Sequence, residues 1–150
     1  MSHTQFIDSP LVGPSSLLEK GFAAMKFARL TFLIAGIYGL IVMLPQYFLE
    51  AQTGRDYPPP ITHPEFFYGF IGVTVPWQVL FLVMSRDPLR FRPAIIPSIL
   101  EKAGFSIAAV ILFLQHRLAA VVLVPAGLDM ILGVLFTVSY VVLGRSEPSS

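Results

Sequence analysis

The sequence predicts an all-α integral membrane protein: a four-helix bundle, N-in and C-in, with a short interfacial helix near its N-terminus. Three observations lead there. The 150-residue chain is 55% hydrophobic and only 13% charged, against about 25% charged in soluble domains. Its apolar residues come in long blocks of membrane-crossing length, not in the alternating stripes of a soluble amphipathic helix. Short polar, proline-rich or basic segments separate the blocks.

Residues 1–15 are mostly polar and hold Pro10, Gly13 and Pro14, so they read as a loose tail. They do not read as a secretory signal, because no short apolar core with a small-residue cleavage site precedes the long block near Phe27. Ser16–Leu17–Leu18–Glu19 matches a capping box, in which serine and glutamate satisfy backbone donors at a helix start. Residues 16–26 then form the interfacial helix, with Leu17, Leu18, Phe22 and Met25 toward the membrane and Lys20 and Lys26 toward headgroups.

The first span is residues 27–49. Gly36 and Gly39 are small positions on either side of Tyr38, and Pro45, Gln46 and Tyr47 close the span. Residues 50–63 read as the one sizeable loop, stiffened by Pro58, Pro59 and Pro60. Pro64 suits the first turn of the second span, residues 64–84. In that span Glu65, Gly69, Gly72 and Pro76 recur at helical pitch and form a stripe of small or polar residues. Such a stripe predicts the side facing other helices, because lipid gives no reward for hiding apolar groups. Gln78 lies off it by roughly 150° at helical pitch. A basic link with Arg86, Arg90 and Arg92 leads to the third span, residues 96–115. A polar turn at His116–Arg117 leads to the fourth, residues 119–143, and residues 144–150 are a polar tail.

The cations set the orientation. Lys20, Lys26, Arg29, Arg86, Arg90, Arg92, Lys102 and Arg145 fall toward one side, with only Arg55 and Arg117 toward the other. The excess of lysine and arginine on cytoplasmic segments puts both termini in the cytoplasm.

Several chemistries are excluded. The chain has no cysteine, hence no disulfide, thiolate nucleophile or cysteine metal site. His3, His63 and His116 are too dispersed for a metal or haem site, so neither metal nor cofactor is expected. A net charge of +1 gives no reason to expect nucleic acid as a partner.

Two acids carry the remaining chemistry: Glu101 in the third span and Asp129 in the fourth. A charge near the bilayer centre costs roughly 2.5–3.5 kcal/mol on insertion scales, so each acid is expected to face protein, a partner or water. At helical rise Asp129 lies roughly 15 Å and Glu101 roughly 21 Å from the outer ends of their spans. Tyr38 and Gln78 fall in the same layer, and Trp77 borders it. The candidate catalytic residues are therefore Asp129 and Glu101, as proton donor or acceptor. The candidate ligand contacts are Tyr38, Trp77 and Gln78. The plainer roles are an Asp129 bonded to a neighbouring helix and a Glu101 paired with Lys102 or the basic link. Glu101, Ala108 and Gln115 lie near one face, which is expected to be the bundle side.

These features predict a protein that binds, or isomerises, a lipophilic small molecule in an intramembrane acidic pocket, with membrane lipids around it. The alternative is an accessory subunit of a larger membrane complex, its acids bonding to partner helices; a homodimer is a further expected assembly.

From His63 to Val141 the chain resembles small four-span bacterial membrane proteins of uncharacterised function. The likeness rests on His63-Pro64-Glu65-Phe66-Phe67-Tyr68-Gly69-Phe70, on Trp77-Gln78, on Arg86-Asp87-Pro88 with Arg90 and Arg92, and on Glu101-Lys102. It implies a four-helix membrane protein, and the expected location is a bacterial inner membrane. In architecture alone it is similar to the EXPERA group of sterol-handling four-span proteins, which keep acids inside a lipid-accessible pocket.

Overall fold

In a computed structural model the described residues are 14–58 and 60–145, with side chains described from residue 18. The expected tail at 1–15 lies almost wholly outside the described residues, as does most of the tail at 144–150. Helix α1 (Pro14–Met43) is a single helix of 30 residues. No proline lies between Pro14 and Pro45, and nothing else separates the expected interfacial segment, residues 16–26, from the first span. At about 1.5 Å per residue α1 runs roughly 45 Å, more than the roughly 30 Å of hydrocarbon in a bilayer. Its N-terminal turns, with Leu18 and Phe22 exposed beside Glu19 and Lys20, therefore extend into the headgroup zone.

Pro45 ends α1, and the chain continues as a 3-10 turn, Leu44–Phe48. Part of the expected loop is in fact a short helix, α2 (Glu50–Asp56). Its Gln52 side-chain amide donates to both oxygens of Asp56, one turn on. The helix stops at Tyr57 because Pro58 restricts the residue before it to extended backbone. The transmembrane helices that follow are α3 (Pro64–Met84), α4 (Arg92–Leu114) and α5 (Leu123–Gly144), the last preceded by a 3-10 turn at Ala120–Val122. With α1 they make four helices long and apolar enough to cross a membrane. Among the described residues there is no strand.

The helices pack antiparallel in the order α3, α1, α5, α4. The two halves of the bundle differ. The half nearer the termini is solid: Phe32, Phe81 and Phe136 are fully buried, with ring centroids 4.6 Å apart for Phe32–Phe136 and 5.0 Å for Phe81–Phe136. Ala28, Ala35, Met84, Ile95 and Leu143 complete this core. The α1–α3 contact above it is close because Gly36 and Gly39 lack side chains. A Cβ at Gly36 would stand 2.7 Å from Leu82, and one at Gly39 would collide with the side chain of Gln78.

Two expected faces are corrected. The stripe of Glu65, Gly69, Gly72 and Pro76 on α3 points out of the bundle: all four are exposed, and a Cβ at Gly69 would meet nothing within 4 Å. The buried face of α3 is Ile71, Gln78, Phe81 and Met84, set by the large aromatic that fills the core rather than by small residues. On α4, Ala108 and Gln115 are exposed, and the inward face is Ile95, Ser98, Lys102, Ser106 and Ala109.

The α4–α5 link closes on His116, whose φ of 58° is in the left-handed region. The Arg117 amide donates to the Leu112 carbonyl at 2.9 Å and the His116 amide to that of Phe113 at 2.9 Å, a Schellman closure that caps α4. A non-glycine residue in this conformation costs about 1 kcal/mol. His116→Gly is therefore expected to raise the midpoint of denaturation in detergent; an unchanged or lower midpoint would contradict it.

Candidate functional site

The half of the bundle away from the termini is not solid. It holds a cavity of about 350 Å³ bounded by α1, α3, α4 and α5. Phe67, Phe70, Ile71 and Phe105 make its walls apolar, with Val42 and Met43 on α1. Thr53 of α2 reaches its far end. Helix α2 is fixed to α3 there by Tyr68, whose hydroxyl donates to Glu50 Oε2 at 2.8 Å.

The polar side of the cavity centres on Lys102. This lysine lies on the inward stripe of α4, between Ser98 and Ser106. Its Nζ is 3.1 Å from Asp129 Oδ1 on α5 and 3.2 Å from Glu101 Oε2 on its own helix. The side chains of Lys102, Glu101 and Asp129 are 5, 18 and 17% exposed. On the core side the ammonium sits 5.4 Å from the centroid of the Phe81 ring, a distance at which the ring face attracts a cation. One ammonium thus serves two carboxylates, and a buried charge needs such partners. Ser106 fixes the register of α4 against α5: its hydroxyl lies 2.9 Å from the carbonyls of Lys102 and Ala126.

Four of the residues singled out from sequence, Tyr38, Gln78, Glu101 and Asp129, line this one cavity. Gln78 is 1% exposed. Its amide nitrogen donates to the Thr74 carbonyl at 3.2 Å, while its carbonyl oxygen has no hydrogen-bond partner among the described residues. Trp77 is not on the cavity wall. It packs toward the core, 6.3 Å from Phe81 between ring centroids, because one residue along a helix turns the side chain by about 100°. His63 and Glu65 form an exposed pair, Nδ1 to Oε1 at 3.1 Å.

Sequence reasoning gives Lys102 as an inner-side cation and as a partner for Glu101; the Glu101 pair is present, but the contact of Lys102 with Asp129 and its place at the centre of the cavity were not expected. The signal that could have found it is the spacing of Ser98, Lys102 and Ser106, each one turn from the next on a single helix face. Among the described residues no group of three or more His, Asp or Glu side chains is placed to hold a metal ion.

Fold and composition make the protein a polytopic integral membrane protein with four candidate spans. Compared with protein-family models, curated proteins and solved structures, the chain matches none.

Proposed function

We propose that the protein binds a lipophilic small molecule in the cavity between its four long helices, with the polar end of the ligand against Asp129, Glu101 and Lys102. One observation carries this reading: an apolar-walled cavity of about 350 Å³ ends on the only carboxylates of the four long helices that are not at a helix end. Ligand sites are concave, mostly apolar, and carry a few polar groups that fix orientation. Acids inside a membrane span are themselves a pointer to function. Isomerisation is the catalytic extension of the same reading, with the two carboxylates as proton donor and acceptor. The cation distribution supports both termini lying in the cytoplasm, and the location in a bacterial inner membrane rests on the resemblance to small four-span bacterial membrane proteins alone.

The test is native mass spectrometry of the protein extracted in mild detergent. The wild type is expected to carry a non-covalent small-molecule adduct, and Asp129→Asn is expected to lose it while its helical circular dichroism and monodispersity stay unchanged. An adduct retained by Asp129→Asn would remove the reading.

A second reading, an accessory subunit of a membrane complex, is favoured by a different observation. Gly69, Gly104 and Gly127 stand on outward faces with nothing within 4 Å of where a Cβ would be. Small outward residues allow another helix to approach closely in a membrane. The same spectra separate the two readings: a stoichiometric partner chain and no adduct would favour the subunit.

A further inference from the structure

The charged groups on the wall of the cavity do not balance. They are Glu101, Lys102 and Asp129, two carboxylates against one ammonium. The remaining polar residues of the wall, Tyr38, Gln46, Thr53, Thr74 and Gln78, are neutral and cannot make up the difference. One carboxylate is therefore in excess. It is matched either by a proton of its own or by a second cation, because a bare charge away from water costs far more than either. The ammonium is held on the core side, 5.4 Å from the centroid of the Phe81 ring. Its side chain is 5% exposed, against 18% for Glu101 and 17% for Asp129. The cluster thus presents its acids to the cavity more than its base. The apolar walls also suit a cation. Tyr38, Phe67, Phe70 and Phe105, from α1, α3 and α4, line the cavity, and aromatic side chains are the groups that receive an organic ammonium.

Resting on the binding function proposed above, we infer that the ligand is a lipophilic organic cation, an amine or quaternary ammonium on an apolar body, whose positive end takes up the excess carboxylate at Asp129. Among the described residues Asp129 has no hydrogen bond or ion pair except with Lys102, and Lys102 is shared with Glu101. A second cation completes the pairing, one positive charge for each acid. An anionic ligand would add a third negative charge to the cluster. A zwitterionic phosphocholine end brings its own phosphate and leaves the excess where it was.

The experiment compares three probes by isothermal titration calorimetry in a nonionic detergent, with affinities referred to the micellar concentration of each. They are 4-phenylbutyltrimethylammonium, its neutral isostere with carbon in place of nitrogen, and 4-phenylbutylphosphocholine. The wild type is expected to bind the cation about tenfold more tightly than either of the others, the yield of one ammonium among desolvated aromatic groups. In Asp129→Asn, and separately in Glu101→Gln, one carboxylate faces one ammonium, and the preference for the cation is expected to disappear. The ratio of affinities is read, so a change in overall binding by either variant does not bear on it. Helical circular dichroism checks that each variant is folded, and either one suffices. Equal binding of the cation and its isostere by the wild type would overturn the inference and leave the cavity as a site for neutral molecules. Phosphocholine binding as tight as that of the cation would also overturn it, because the head would then be read without regard to net charge. A preference unchanged in both variants would place the cation elsewhere on the protein, with the same result. If no probe binds, the inference falls, and the adduct in the native mass spectra decides the binding function separately.

Discussion

Lys102→Met is expected to lower stability by about 3–5 kcal/mol, the cost of removing one partner from a buried ion group. The methionine fills the volume of the lysine stem, so packing changes little and the charge change dominates. The wild-type ammonium lies 3.1 Å from one carboxylate and 3.2 Å from another on facing helices; without it, α4 and α5 present two acids to each other inside the bundle with no counter-charge. Neutralising a single acid is milder, because each of Glu101→Gln and Asp129→Asn leaves one cation with one partner. The expected order of loss is thus Lys102→Met well above either acid variant. The triple variant Glu101→Leu/Lys102→Met/Asp129→Leu is expected to regain most of the stability, since replacing a whole buried ion group by apolar side chains is often neutral or better, but it should bind no ligand. Denaturation in detergent, followed by far-ultraviolet circular dichroism, measures all four. A Lys102→Met protein as stable as Asp129→Asn would show that the ammonium is not what holds α4 to α5.

Much of the bundle can be read from the sequence because membrane spans carry a strong, local signal. Residues 64–84 were expected as a span and α3 is Pro64–Met84. The boundaries that moved did so at prolines and polar segments. Helix α4 starts at Arg92 rather than residue 96, because Pro93 falls in its first turn, where the missing N–H costs nothing. Helix α2 lies within the expected loop because it is held by the polar contacts of Gln52 with Asp56 and Arg55 and by Tyr68 far along the chain, none of which is an apolar-block signal. The facing of each helix was less legible than its existence. In a soluble protein the apolar side is the buried side, but in lipid both sides are apolar, so polarity and size must stand in for it. That substitute fails for Gly69 and Gly72 on α3, whereas Gly36 and Gly39 on α1, to which the sequence analysis assigns no face, stand in the α1–α3 contact. It fails again on α4, where Glu101 reads as marking the inward face although the inward residue is its neighbour Lys102. Glu101 reaches the cavity from the side, drawn to the ammonium. A cation beside an acid at the edge of a span reads as a headgroup contact, and only the fold reveals that Asp129 lies opposite.

Gly36→Val is the sharpest test of that distinction between glycines, with an expected loss of about 1–3 kcal/mol from overpacking. A Cβ at Gly36 would lie 2.7 Å from Leu82 Cδ2 and 2.8 Å from the backbone oxygen of Gln78. The leucine can rotate away. The Gln78 carbonyl belongs to the α3 backbone and cannot, so the added methyls must push α1 and α3 apart. That movement occurs where Gln78 joins the cavity wall, so binding should weaken together with stability. Gly69→Val supplies the control: the same substitution on α3, with nothing within 4 Å to strike. Its only cost is the modest helix penalty of a β-branched residue, offset by the removal of glycine. Denaturation midpoints and the small-molecule adduct seen in native mass spectra of both variants decide the matter. If Gly36→Val matches Gly69→Val in both measurements, the α1–α3 contact is looser than the structure has it, and the wall of the cavity that depends on it is too.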